Sequence, residues 1–162
     1  MAQQFRDHTI GRRYWGLTRG VAKPGRIASH LVPDRGDGRR GSGEESADSR
    51  HAVTHVRLIQ PFDGFSWVEC RLETGRTHQI RIHLGEAGTP LCGETIYDRP
   101  LHGAPVPDAS GAPRIALHAR DLEINHPSDG KRIAWKSPWP QDLHRLAAYL
   151  ARQAHVTLAE EN

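Results

Sequence analysis

Cysteine, lysine and long apolar runs are what this chain of 162 residues has least of. Its two cysteines, Cys70 and Cys92, are too few and too far apart for a zinc site or a disulfide framework. They read as reduced core residues, and the expected compartment is the cytoplasm. No apolar run approaches the roughly 20 residues that span a bilayer, and the N-terminus lacks the charged-then-apolar pattern of a secretory signal. Phosphate-loop, dinucleotide-turn and His/Cys metal spacings are also missing, which removes the usual signatures of ATP, redox-cofactor and metal chemistry. The remaining composition is that of one ordinary domain, large enough to bury a core.

Lysine supplies only 3 of the 22 basic residues, and arginine the other 19. Arginine's planar fork pairs with phosphate and stacks on bases, whereas lysine acts as a hydrated point charge. Between Met1 and Gly43 nine basic residues face three acids, an excess of six positive charges that suits a polyanion partner. A coding sequence that favours arginine everywhere would give the same composition, so charge alone does not choose.

The segment Glu73-Thr-Gly-Arg-Thr-His-Gln-Ile-Arg-Ile-His-Leu84 organises the rest. Phe65–Leu72 before it alternates bulky and polar residues as a strand does. Ile80, Leu84 and Ala87 then fall on one helical stripe that Gly88 closes. Thr74–Thr77 is therefore a strand-to-helix turn, with Thr77 or Thr74 placed to cap the helix. The free N–H groups of such a helix start, together with Arg76 and Arg81, suit a phosphate or carboxylate. Without further information, a capped surface helix carrying two solvated arginines fits equally well.

Four ordered stretches resemble the RluA-like pseudouridine synthases. They are Thr74–Leu84 followed by Gly88–Tyr97, then Arg114–Ala119, His126-Pro127, and, upstream, Gln4-Phe-Arg with Ile10–Tyr14. The resemblance implies RNA (rRNA or tRNA) as partner, uridine-to-pseudouridine isomerisation as reaction, and no metal, ATP or redox cofactor. It implies that Tyr14 packs against the target uracil and takes part in proton removal, and that Arg81 pairs with the catalytic aspartate. Ile80 and Ile82 would pack around the site. Arg12, Arg13, Arg76 and Thr77 become the expected phosphate contacts. Read on its own residue type, Tyr14 is a half-buried strand tyrosine. Glu94 stands where the family usually has aspartate, and Gly16 where alanine is common.

The family's nucleophile belongs to an Arg-Leu-Asp motif upstream of the tyrosine, and none of the ten aspartates here has that context. Asp34, in His30-Leu-Val-Pro-Asp-Arg35, follows the tyrosine and is preceded by proline; it is rejected. The expectation is therefore the later portion of a catalytic domain over 1–155 with a tail at 156–162, from a fragment or a chain begun at an internal methionine. Such a protein would be a monomer off the membrane if the full domain is present. A non-catalytic RNA-binding remnant of the same fold is the alternative. A metal hydrolase using His78, His83 and His118 fails because residues five apart on a helix do not share a face.

The expected architecture is α+β, a mainly antiparallel mixed sheet with packed helices. It corresponds to part of the pseudouridine synthase catalytic fold. Strands are predicted over Arg12–Thr18, Gly25–Val32, His51–Gln60, Phe65–Glu73, Arg114–Ile124 and Arg132–Trp135. Ala2–His8 reads as the end of a helix anchored by Phe5. Residues 34–50 read as a flexible loop, and 97–113 as a Pro- and Gly-rich connection. A last helix follows Pro140, with Leu143, Leu146, Ala147 and Leu150 as its buried stripe.

Overall fold

Seven strands form one sheet in the computed structural model, which describes Gln4 and residues 10–160. In chain order they are β1 (Gly11–Arg19), β2 (Gly25–Val32), β3 (Gly41–Gly43), β4 (Arg50–Pro61), β5 (Phe65–Leu72), β6 (Leu117–Asn125) and β7 (Arg132–Lys136). Across the sheet the order is β3-β2-β4-β5-β1-β6-β7, and every neighbouring pair is antiparallel. Two helices complete the described part, α1 (Gln79–Glu86) and α2 (Gln141–Gln153). The architecture is thus α+β on an antiparallel sheet, as the alternation of the strands predicts.

Register sorts the side chains into two faces. Tyr14 lies opposite Cys70 and Cys70 opposite Val56. Trp15 opposes Glu69 and Glu69 opposes Arg57, so these point to the other side. On the first face, Val56, Val68 and Cys70 bury themselves against Ile80 and Leu84 of α1, with Leu91 beside them and Tyr14 packed at the margin. On the second, Trp15 and Trp67 meet Trp139 and the apolar stripe of α2. The Trp15–Trp67 rings meet edge to face at 5.0 Å, and Trp67–Trp139 lie 4.5 Å apart. Leu143, Leu146, Ala147 and Leu150 are buried by α2, with Ala151 beside them, so its expected stripe is observed.

β1 meets β6 with a shift in register after Arg13. Tyr14 pairs with Ala119 and Arg13 with Asp121, which leaves Arg120 as the extra residue. Its guanidinium lies over the Trp15 ring at 4.4 Å and donates to the Ser137 carbonyl at 2.9 Å. The bulge thus turns an arginine into a lid on the tryptophan cluster.

Three sequence expectations need correction. β6 starts at Leu117 rather than Arg114, because Ala116 donates to the Cys92 carbonyl and accepts from the Leu17 N–H instead of joining a strand ladder. The 34–50 stretch is not wholly irregular: β3 within it pairs with β2. Arg35, its side chain only 2% exposed, bridges Asp37 and Glu86 of α1, and Glu86 also accepts the Ser42 N–H. Charge-rich composition concealed this clamp because its partner lies 51 residues away. The third correction concerns the start of α1 and belongs to the site. The helical turn expected over Ala2–His8 falls outside the described residues except for Gln4. That residue is helical, and its side-chain amide pairs with the Asn125 backbone at 2.6 and 2.8 Å.

Candidate active site

α1 is short, and polar side chains root it. Gln79, 2% exposed, accepts from the Thr74 hydroxyl at 2.8 Å and the Arg76 N–H at 3.0 Å. The same side chain donates to the Val53 carbonyl at 2.9 Å and the Thr54 hydroxyl at 3.0 Å. One turn on, His83 Nδ1 meets the Thr54 hydroxyl at 2.9 Å and Nε2 meets Ser29 at 3.1 Å, with Ser42 donating to Ser29 in turn. Burial pushes the His83 pKa down to about 4, so the ring is neutral. Gln79 and His83, four residues apart, therefore share one helical face and tie it to β4 and β2. Neither was among the expected site residues. Two polar groups at helical spacing inside an apolar stripe were the available signal.

This rooting changes how the helix begins. Thr77 and Thr74 do not cap it; His78 occupies the N-cap with a left-handed backbone, φ 58°, and no side-chain cap bond. Thr74 is diverted to the Val53 N–H, which it accepts at 2.8 Å, and to Gln79. The left-handed step turns the His78 side chain to the Tyr97 hydroxyl, 3.0 Å away. Burial, with the nearby Arg81 charge, lowers the His78 pKa.

Arg81 reaches from α1 to the loop that follows it. Its Nε donates to Glu94 Oε2 at 2.6 Å and its Nη2 to Oε1 at 2.8 Å. The Glu94 side chain is fully buried and that of Arg81 15% exposed. The Tyr97 ring supports the guanidinium at 5.1 Å. Burial alone would raise the Glu94 pKa. Arg81 and the N–H groups of Ile96 and Tyr97 outweigh it and hold the carboxyl below the usual range. Arg81 is raised above its ordinary value, chiefly by Glu94. The carboxylate that Arg81 meets within these residues is thus one to which the sequence reading assigned no chemistry.

The other expected site residues divide by face. Tyr14, half-buried, shares the face of α1 and packs on the cluster holding Ile80 and Leu84. Ile82 packs instead with Leu31, Ala52 and Tyr97. Arg12 comes to the turn before α1, where a Cβ on Gly75 would stand 2.1 Å from its Nη1. Arg76 holds the same turn by donating to the His51 carbonyl at 3.0 Å, and Thr77 is exposed beside it. Arg13 goes elsewhere. It points to the opposite face, donates to Glu123 at 3.3 Å and lies 3.9 Å from Asp121. There it lines a cavity of about 600 Å³ with His55, Arg57, Glu69, Arg71 and Arg132, a cavity that Arg12 lines as well. Asp34 accepts the Gly36 and Gly38 N–H groups and does no more than close a turn.

The histidines expected not to form a metal site are dispersed: His78 to Tyr97, His83 to Thr54 and Ser29, His118 to the Ser137 carbonyl. Among the described residues no group of three or more His, Cys, Asp or Glu gathers in a metal-holding arrangement. Within the same residues no helix is long and apolar enough to cross a membrane.

A family model described as RNA pseudouridylate synthase matches residues 1–86. The chain belongs to that family. Among curated relatives it is 35% identical over 164 residues to ribosomal large subunit pseudouridine synthase D of Neisseria meningitidis, covering 98% of this chain and 44% of the relative. It is 36% identical to the protein of the same name from Zymomonas mobilis, over 90% of this chain and 47% of that one. An RNA pseudouridine synthase of Synechocystis shares 37% identity over 93% and 45%. The chain thus spans less than half the length of these relatives. In fold it is similar to the solved structure of human RNA Pseudouridylate Synthase Domain Containing 4, with a TM-score of 0.70 at 21% identity, covering 90% of this chain and 65% of that one. Human RNA Pseudouridylate Synthase Domain Containing 1 gives a TM-score of 0.64 at 21% identity over 99% and 71%. The RNA pseudouridylate synthase family therefore accounts for both the sequence motifs and the sheet.

Proposed function

We propose that this chain is the later portion of the catalytic domain of an RNA pseudouridine synthase, acting on a uridine of ribosomal or transfer RNA. In this reading the target uridine leaves its stack and enters the face shared by Tyr14 and α1. A carboxylate nucleophile from outside these 162 residues displaces N1 from C1′, the base turns over, and C5 forms the new bond to C1′ as the carboxylate leaves. Tyr14 packs on the uracil and assists removal of the C5 proton. Arg81 pairs with the nucleophilic carboxylate and keeps it ionised. Arg12, Arg76 and Thr77 hold the phosphates next to the flipped nucleotide. The observation that carries the reading is that Tyr14 and the helix bearing Arg81 join in one packed cluster on one face of the sheet. The buried, free Cys70 and Cys92 support a reducing, cytoplasmic setting, and we expect a monomer that needs no metal.

A second reading, RNA binding without catalysis, is favoured by one observation: Arg81 already has a carboxylate partner in Glu94. The test compares this chain with a longer form extended through an upstream Arg-Leu-Asp segment, each incubated with a uridine-containing rRNA fragment. The longer form should produce pseudouridine at a defined position, lost by at least about 100-fold in Tyr14→Ala or Arg81→Ala. This chain alone should bind RNA and leave uridine unchanged. Binding without pseudouridine in every extended form would decide for the second reading.

A further inference from the structure

We infer that Glu94 is a positioning residue for Arg81, an inference that rests on the reaction proposed above. A guanidinium offers two edges, and the side-on pair with Glu94 occupies the Nε/Nη2 edge, leaving the Nη1 group free of that carboxylate. The ion pair is closed on the glutamate side and open only on the arginine side, since Glu94 is wholly buried while Arg81 keeps some exposure.

Glu94 is itself fixed from three directions. Its Oε1 accepts the N–H groups of Thr95, Ile96 and Tyr97 at 3.0, 2.8 and 3.2 Å. Its main-chain carbonyl accepts from Arg19 Nη2 at 2.6 Å, and Arg19 is a buried residue that also ties down Leu91 and Val106. The carboxylate thus has one orientation, and it passes that orientation to Arg81, whose four-bond side chain would otherwise sample many rotamers. It also balances the charge. An arginine alone in this half-buried place would carry an unpaired cation, whereas the Arg81–Glu94 pair is neutral overall and still presents N–H donors to a second carboxylate. Glu94 acts through Arg81, and so affects the chemical step more than RNA capture.

The test uses Glu94→Gln and Glu94→Asp in two settings. In this 162-residue chain, the Arg81 Nε–H proton should exchange slowly by NMR in the wild type and in Glu94→Asp, and become fast in Glu94→Gln. In the extended, active form, Glu94→Gln should lower kcat by about 100-fold with KM for the RNA within about threefold, and Glu94→Asp should recover to within about tenfold of wild type. A wild-type kcat in Glu94→Gln overturns the inference, as does a loss confined to KM. If Glu94→Gln does not fold, Glu94→Asp and the wild-type exchange rate decide, and fast Arg81 exchange in the wild type overturns it. Failure of the wild-type extended form to make pseudouridine would instead count against the proposed reaction, with the exchange measurement still deciding the positioning.

Discussion

The backbone of Gly85 in α1 touches the carbonyl of Tyr97: a Cβ built on Gly85 would stand 2.1 Å from that oxygen. Glycine inside a helix costs about 1 kcal/mol relative to alanine, and here the close approach explains its presence. Only without a side chain can the loop carrying Glu94 and Tyr97 lie against the helix carrying Arg81. Gly85→Ala should therefore destabilise by about 2–3 kcal/mol in spite of alanine's better helix propensity, because the obstruction is backbone. Gly88→Ala, at φ 79° with only Pro100 near, should cost about 1–2 kcal/mol from backbone strain alone. Urea denaturation of the two variants gives the comparison. Equal or smaller loss in Gly85→Ala would mean that the loop shifts freely.

His83 makes stability depend on pH in a defined window. Its folded pKa is about 4 and its ordinary value 6.5, so between them the unfolded chain binds a proton that the native ring refuses. Stability from this group is full above pH 6.5 and falls as the pH drops toward 4. The shift corresponds to about 3 kcal/mol in all. Between pH 6.5 and 4.5 the other contribution of the same sign is His78, whose pKa is also lowered. Below that range, the depressed carboxyl of Glu94 begins to withdraw its own contribution, which is present above the ordinary glutamate pKa and lost as pH falls through the lower folded one. Unfolding free energies at pH 7, 6 and 5 should decline in the wild type and decline less steeply in His83→Gln, where only the lowered His78 remains. A flat wild-type profile would remove the neutral buried ring.

Much of this was readable in the chain and some was not, for physical reasons. Strands β4 and β5 follow from alternation, β2 from the Pro24-Gly25 turn before it, and α2 from its stripe of Leu143, Leu146, Ala147 and Leu150, because those signals are local. Arg81 and Tyr14 were found through a motif, and the motif carries no account of its own polar residues. Gln79 and His83 point inward to Val53, Thr54 and Ser29, and no local rule reveals partners 25 to 54 residues away. Glu94 escapes such a reading because the resemblance gives Arg81 a carboxylate partner from another segment. Arg12 and Arg13 are alike in type and adjacent in the motif, although adjacent strand residues point to opposite faces.

Gln79 separates hydrogen bonding from charge. Its oxygen accepts twice and its nitrogen donates twice, all at a site 2% exposed. Gln79→Ala leaves four polar groups without this partner and should cost about 2–4 kcal/mol. Gln79→Glu keeps shape and both acceptor contacts. It also aims a charged oxygen at the Val53 carbonyl, so at pH 8 it should be at least as damaging as alanine and should recover as acid neutralises it. Denaturation of the two variants at pH 8 and pH 5 checks the crossing. Parallel behaviour at both pH values would mean that the site admits water.

The split between Arg12 and Arg13 gives a prediction for RNA. Arg12 reaches the Gly75 turn beside Arg76, while Arg13, which shares a cavity with Arg12, is engaged with Glu123 and Asp121. Each phosphate contact releases counterions and adds about 0.7–0.9 to the slope of log affinity against log salt. Arg12→Gln and Arg76→Gln should each reduce that slope by about 0.7–0.9 and weaken binding similarly across RNA sequences. Arg13→Gln should leave the slope unchanged, since its charge is matched by acids and faces away from Tyr14. Fluorescence-anisotropy titrations of an rRNA fragment at several salt concentrations measure all three. A slope lost in Arg13→Gln and retained in Arg12→Gln would move the RNA to the other face of the sheet, and with it would go the case for Tyr14 as the residue that meets the base.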